Sequence, residues 1–231
     1  MRSLLLLSGL LCDETVWVDA AQDLKSAADV RIASFEDFDS IHAMAEHVLR
    51  IAPQQFLVAG HSMGGRVALE IFRRARERVL GLALLNTGVH PLRVGEIESR
   101  GRLVKLARER GMSAVAADWL PPMMGATTFR VAQVMPKLSA MVERQTAESF
   151  AAQTQALLER PDAVGVLPTI DVPTLLASGT ADTWSPLAQH EEICRQITGA
   201  TLTAIDDAGH MAPAEQPHAV AAALRAWMQQ V

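Results

Sequence analysis

The stretch "QFLVAGHSMGGRVALEIF" (55–72) constrains this chain more than any other. An apolar run without a polar face ends at Gly60, and an amphipathic helical pattern starts within a few residues. A strand buried on both faces, turning at once into a helix, fits that order. Ser62 stands at the turn between Gly60 and Gly64, where a serine gains nothing from burial. A nucleophile at such a junction adopts a strained backbone that lifts its Oγ above the sheet. Glycines flank it because a Cβ there would strike facing backbone. The amide of Met63, at the helix start, lacks an intrahelical partner and is free to meet an anion forming on a substrate carbonyl. A tight turn with a bystander serine is the competing structural reading, and the flanking strand and helix weigh against it.

The same alternation runs through much of the chain. Residues 2–8, 30–34, 55–59, 80–86, 174–178 and 201–205 read as strands, and the first, third, fourth and fifth are apolar on both faces. Helical patterns cover 41–51, capped by Ser40; 64–76; and 217–229, with Pro217 in its first turn. Strand–helix alternation predicts an α/β fold with a mainly parallel sheet. Between about residues 91 and 168 the alternation stops, and four helical segments follow one another near 95–110, 113–119, 127–142 and 144–159. The expected organisation is a core from residues 1–90 and 169–231, with 91–168 as a helical cap on the sheet.

Composition narrows the function classes. With 231 residues, 49% hydrophobic and 20% charged, the chain has ample material for one large core. A net charge of −5 with scattered arginines argues against a nucleic-acid partner. Cys12 and Cys194 form no CxxC pattern and are expected to stay reduced, which points to a cytoplasmic setting. The opening "MRSLLLLSGLLC" is interrupted by Ser8-Gly9 and lacks a small-residue cleavage site, so a buried strand is expected there rather than a signal peptide. No run reaches the ~18 apolar residues of a membrane span, so no membrane insertion is expected.

A nucleophilic serine needs a base, and the base needs an orienting acid. Of seven histidines, His42 and His47 fall on a helix, and "HAMAEH" misses zinc-binding spacing, so no metal is indicated. His61 lies inside the turn, while His90, His190 and His218 carry no further signal. His210 follows the last strand in "DDAGHMAPAEQP", at the carboxyl edge where open α/β sheets place ligands. Asp182 follows the fifth strand in "LLASGTADTWSP", again at a carboxyl edge. Asp206 and Asp207 are too near His210 in sequence to reach round its ring, and Asp162 and Asp171 precede the fifth strand. The loop after the first strand brings Gly9 beside the turn, with the Leu10 amide as a second oxyanion donor.

"LLLLSGLLCDETVW", "VAGHSMGGRVALE", "LALLNTG", "VPTLLASGTADTWSP" and "DDAGHMAPAEQP" together resemble the α/β-hydrolase fold, within its esterase, lactonase and cofactor-free haloperoxidase-like group. The resemblance implies Ser62 as nucleophile, His210 as general base, Asp182 as its orienting acid and the Leu10 and Met63 amides as oxyanion hole. It implies a three-layer, six-stranded, mainly parallel sheet ordered 2-1-3-4-5-6, trimmed of two strands the family usually carries before the first one here. Ser8 stands where the family often has histidine.

The expected activity is a serine hydrolase, an esterase of EC 3.1.1 type acting on a small or medium ester, thioester or lactone through an acyl-enzyme without a cofactor. Carbon–carbon bond hydrolysis and perhydrolase chemistry use the same triad, and a slow-turnover ligand receptor is an alternative of another class. The partner is a small molecule, and monomer and homodimer both remain open. Trp119, Leu120, Met123, Met124, Met135, Met141 and Trp184 are candidates to line the pocket, against ordinary packing between helices. Arg93, Arg100 and Arg102 are candidates for a substrate carboxylate, against solvated helix faces.

Overall fold

The computed structural model describes residues 1–125 and 129–231. Six strands form one all-parallel sheet: β1 (Ser3–Leu7), β2 (Asp29–Ala33), β3 (Phe56–His61), β4 (Val79–Leu85), β5 (Thr174–Gly179) and β6 (Thr201–Ile205), in the order β2-β1-β3-β4-β5-β6. The central strands β3 and β5 are buried along their whole length, whereas the edge strands β2 and β6 alternate with exposed positions. That difference is the one their sequences carry, because only strands covered on both faces can be uniformly apolar.

The order dictates where helices go. From β1 the chain steps outward to β2, then jumps back past β1 to β3 and continues the other way. Right-handed crossovers therefore put α1 (Val18–Leu24) on one face, and α2 (Ile41–Ile51), α3 (Met63–Ala75) and α7 (Leu187–Arg195) on the other. Helix α2 packs on α3, and α1 packs on α9 (Pro217–Met228), which follows the short α8 (Ala212–Glu215). Ser40 caps α2 by accepting the Ala43 amide. Gly81 leaves room for Trp227, whose indole N–H donates to the Pro173 carbonyl at 2.9 Å, fixing α9 on the sheet. Strand direction reverses its walk between β1 and β3, and loops leaving those two strands diverge. A crevice must open there, at the carboxyl ends.

Among the described residues no strand separates β4 from β5. The interval holds α4 (Glu96–Trp119), α5 (Phe129–Glu143) and α6 (Ala147–Leu158). The two segments expected at 95–110 and 113–119 are one helical stretch broken at Gly111, where φ is +80°. Of the segment expected at 127–142, its first two positions lie outside the described residues. Arg160, its side chain 1% exposed, joins the start of α4 to the end of α6. It pairs with Glu96 at 2.7 Å and donates to the carbonyls of His90, Pro91 and Leu157. No helix among the described residues is long and apolar enough to cross a membrane.

Candidate active site

The turn after β3 holds Ser62 at φ 55°, ψ −115°, a conformation that L-residues rarely adopt and that carries strain of about 1–3 kcal/mol. Its surroundings keep it there. The Ser62 amide donates to Leu85 O at 2.9 Å, and its carbonyl accepts from the Gly65 amide and the Thr87 hydroxyl. A Cβ at Gly60 would lie 2.2 Å from the Gly64 carbonyl oxygen, and one at Gly64 would lie 2.2 Å from that of Leu7. The glycines are thus required by close approach of backbone to backbone.

His210 arrives from the loop after β6 and presents Nε2 2.9 Å from Ser62 Oγ. Its Nδ1 lies 2.9 Å from Oδ2 of Asp182, which comes from the loop after β5. The His210 amide donates to Met123 O at 2.6 Å, and Glu215 accepts from the amides of Gly209 and Gly125. The loop is therefore tied both to α8 and to the stretch after α4. Asp182 accepts three further hydrogen bonds: from the Trp184 and Ser185 amides on Oδ1, and from Asn86 Nδ2 beside His210 on Oδ2. Burial alone would raise this carboxyl, but the hydrogen bond and charge of His210, then Asn86 and Ser185, outweigh it and hold it far below the usual carboxylate range. Asp182 thus faces the imidazole with its ionised form favoured.

His61 is fully buried, and burial together with nearby His210 pushes its pKa down to about 3, so it is neutral. Its Nε2 lies 2.8 Å from the His210 carbonyl, which only accepts; the proton therefore sits on Nε2 and Nδ1 is bare. Gly9 lies against this ring: a Cβ there would come within 3.2 Å of His61 Nδ1 and of Ser62 Cβ.

The amides expected to receive an anion belong to Leu10, in the loop after β1, and to Met63, the first residue of α3. Among the described residues neither Leu10 N nor Met63 N donates to a protein acceptor. Leu11 has φ 58°, and its amide donates to Oε1 of Gln153 on α6 at 2.8 Å. Buried Ser8 donates to the Asp13 carbonyl, bridging the base of the same loop.

Ser62, His210, Leu10 and Met63 open onto a cavity of about 590 Å³. Trp119, Met123 and Trp184 line it, as do Arg93, Arg100 and Arg102. Leu120, Met124, Met135 and Met141 do not. Leu120 and Met141 are buried in the core, and Met124 and Met135 pack against it, because neighbouring positions on a helix face different ways. Several residues of the site carry a weaker sequence signal. Asn86 reads as the last residue of the strand expected at 80–86, which ends at Leu85, and Thr87 follows it. Arg66 reads as the polar side of an amphipathic helix. His190, buried on α7, accepts the Thr87 amide at 3.0 Å. Among the described residues no group of three or more His, Cys, Asp or Glu could hold a metal ion.

Comparison with known proteins agrees with this architecture. The sequence profile of the alpha/beta hydrolase family matches residues 6–223. The chain belongs to this family. Among alpha/beta hydrolase relatives, it is 28% identical over 191 residues to 3-oxoadipate enol-lactonase 2 of Acinetobacter baylyi, covering 81% of this chain and 67% of that one. A thermophilic esterase from Thermogutta terrifontis, solved with malate bound, superposes with a TM-score of 0.89 at 29% identity, over 99% of this chain and 90% of that one. The enol-lactonase from Burkholderia xenovorans gives 0.87 at 24% identity, over 99% and 91%, a likeness that speaks for the fold alone.

Proposed function

We propose that this alpha/beta hydrolase is a serine hydrolase cleaving a small or medium carboxylic ester, thioester or lactone. The observation that carries the reading is the hydrogen-bonded chain from Ser62 Oγ to His210 Nε2 and from His210 Nδ1 to Asp182, each link 2.9 Å. The esterase and enol-lactonase relatives support the same class.

In this reading Ser62 Oγ forms a bond to the substrate carbonyl carbon while its proton moves to His210 Nε2. The carbonyl oxygen becomes an anion held by the Leu10 and Met63 amides. Collapse breaks the bond to the leaving oxygen or sulfur, which takes the proton from Nε2. Water then gives its proton to Nε2 and attacks the acyl-enzyme; the bond from Ser62 Oγ to the acyl carbon breaks, Oγ takes the proton back from Nε2, and the acid leaves. Asp182 keeps the imidazole in the tautomer with Nδ1 protonated and stabilises its transient charge. The helical stretch over 91–168 acts as the cap that roofs the cavity, with Trp119 and Met123 as its substrate-facing side chains.

The test is chemical. A fluorophosphonate should add its mass to Ser62 in the wild type and not in Ser62→Ala. Turnover of short-chain p-nitrophenyl esters should fall by at least roughly 10²–10³ in Ser62→Ala and in His210→Ala. An unlabelled Ser62, or a Ser62→Ala protein as fast as wild type, removes the assignment.

A further inference from the structure

Four arginines and two carboxylates line the cavity above Ser62: Arg66, Arg93, Arg100 and Arg102 against Glu96 and Asp118. The acids are already engaged. Glu96 is shared by Arg100 at 2.9 Å and by buried Arg160 at 2.7 Å, and Asp118 pairs with Arg102 at 2.9 Å. Arg93 donates to Gln189. Arg66 has no carboxylate partner among the described residues. Its one hydrogen bond is from Nη1 to the His90 carbonyl at 3.0 Å, leaving most of its five N–H donors unused.

An anchoring role for Arg66 is redundant, because Arg160 already donates to the same His90 carbonyl at 3.2 Å. Leaving a guanidinium unpaired in a cavity wall is unfavourable. Burial, reinforced by the cations of Arg160, Arg100 and Arg93, pushes its pKa down to about 9, and only Glu96 opposes this. Around Arg66 the neighbouring arginines outnumber the one carboxylate that acts on it. Arg66 also lies in the first turn of α3, four residues after Ser62, and both line the same cavity.

From this geometry we infer that Arg66 is the carboxylate-binding group of the cavity, so the ester or lactone opened at Ser62 carries a carboxylate on its acyl or its alcohol portion. The inference rests on the reading of Ser62 as nucleophile for the location of the reacting carbonyl. A planar guanidinium with paired free N–H groups matches a carboxylate bidentately, and the Trp119, Met123 and Trp184 walls accommodate the apolar chain between the two ends.

Two pairs of esters, differing only in a terminal carboxylate or methyl, test it. They are monomethyl adipate against methyl hexanoate, and 6-acetoxyhexanoate against hexyl acetate, followed by acid release at constant pH. In at least one pair the anionic ester should have kcat/KM roughly tenfold or more above its neutral partner. Arg66→Gln should lower that ratio by roughly tenfold, mainly through KM, and Arg66→Lys should retain part of it. Calorimetric binding of adipate provides a readout independent of turnover and should weaken by a similar factor in Arg66→Gln. A ratio unchanged by Arg66→Gln, or neutral esters favoured in both pairs, overturns the subsite. If none of the esters is cleaved, the hydrolase reading fails. Adipate binding that depends on Arg66 would then still uphold the subsite, and binding that is absent or equal in the two proteins would end it.

Discussion

Asp182 shows how few side chains set the electrostatics at this sheet edge. It receives Asn86 at 2.8 Å on the oxygen that faces His210, and Asn86 also donates to Gly209 O at 3.2 Å, bracing the carboxylate and the His210 loop together. Asn86 has φ 49°, so Asn86→Gly removes the side chain without adding backbone strain. Ester kcat/KM should fall roughly tenfold in this variant, with phosphonate labelling of Ser62 slowed in parallel. Unchanged rates for both would strip Asn86 of a positioning role. At this scale the sequence is readable where a residue is conspicuous in its place. Ser62 interrupts an apolar strand, and His210 and Asp182 each follow a strand beside a glycine-bearing loop. Asn86 and Arg66 are hidden because their residue types are ordinary at a strand end and on a helix, and only the fold reveals what stands opposite them.

Among the elements, β1, β3, β4 and β5 are legible because burial on both faces leaves uniform apolar runs, β2 and β6 as shorter mixed runs within the strand–helix alternation, and the strand order through the family resemblance. Helices α1 and α7 are not. "VDAAQDL" and "LAQHEEICR" are short, and polar residues dominate their exposed sides, so their periodicity is faint until the sheet supplies the buried face. The break in α4 was legible as two segments, since glycine at position 111 meets a positive φ with open space around it. The junction of α4 with α6 also carries a pH dependence. Burial would raise the Glu96 carboxyl, yet hydrogen bonds from Arg160 and Arg100 outweigh it and lower its pKa from 4.5 to about 2. A carboxyl lowered on folding stabilises the fold above its unfolded pKa, and that contribution is lost as pH falls through the folded value. Urea unfolding should therefore show stability declining from about pH 4.5 toward pH 2, and Glu96→Gln should flatten that decline. An identical slope in the variant would show that this junction does not govern acid sensitivity.

Across the whole molecule, groups distant in the chain are gathered at one end of one sheet, and the helical stretch between β4 and β5 is fastened to that end at separate places. Gln153 on α6 accepts the Leu11 amide, Ser149 donates to the Glu36 carbonyl, and Met123 accepts the His210 amide. None of these ties is visible in the sequence, since each joins residues with no shared periodicity. Gln153→Leu leaves the Leu11 amide buried without an acceptor, which should lower stability by about 1–3 kcal/mol and loosen the neighbouring Leu10 amide. Turnover of a neutral ester should show kcat falling more than KM rises; a pure KM effect would mean that the Leu10 amide is not loosened.

Because β4 and β5 are direct neighbours in the sheet, everything inserted between them is a detour from one strand to the adjacent one. Its length and internal layout leave the strand register untouched. A graft of the corresponding stretch from a homologue is therefore expected to change what the cavity admits while leaving Ser62, Asp182 and His210 in place. A graft succeeds only if the incoming segment reproduces the acceptors now supplied by Met123 and Gln153, so those two contacts mark the seams along which this protein can be recombined.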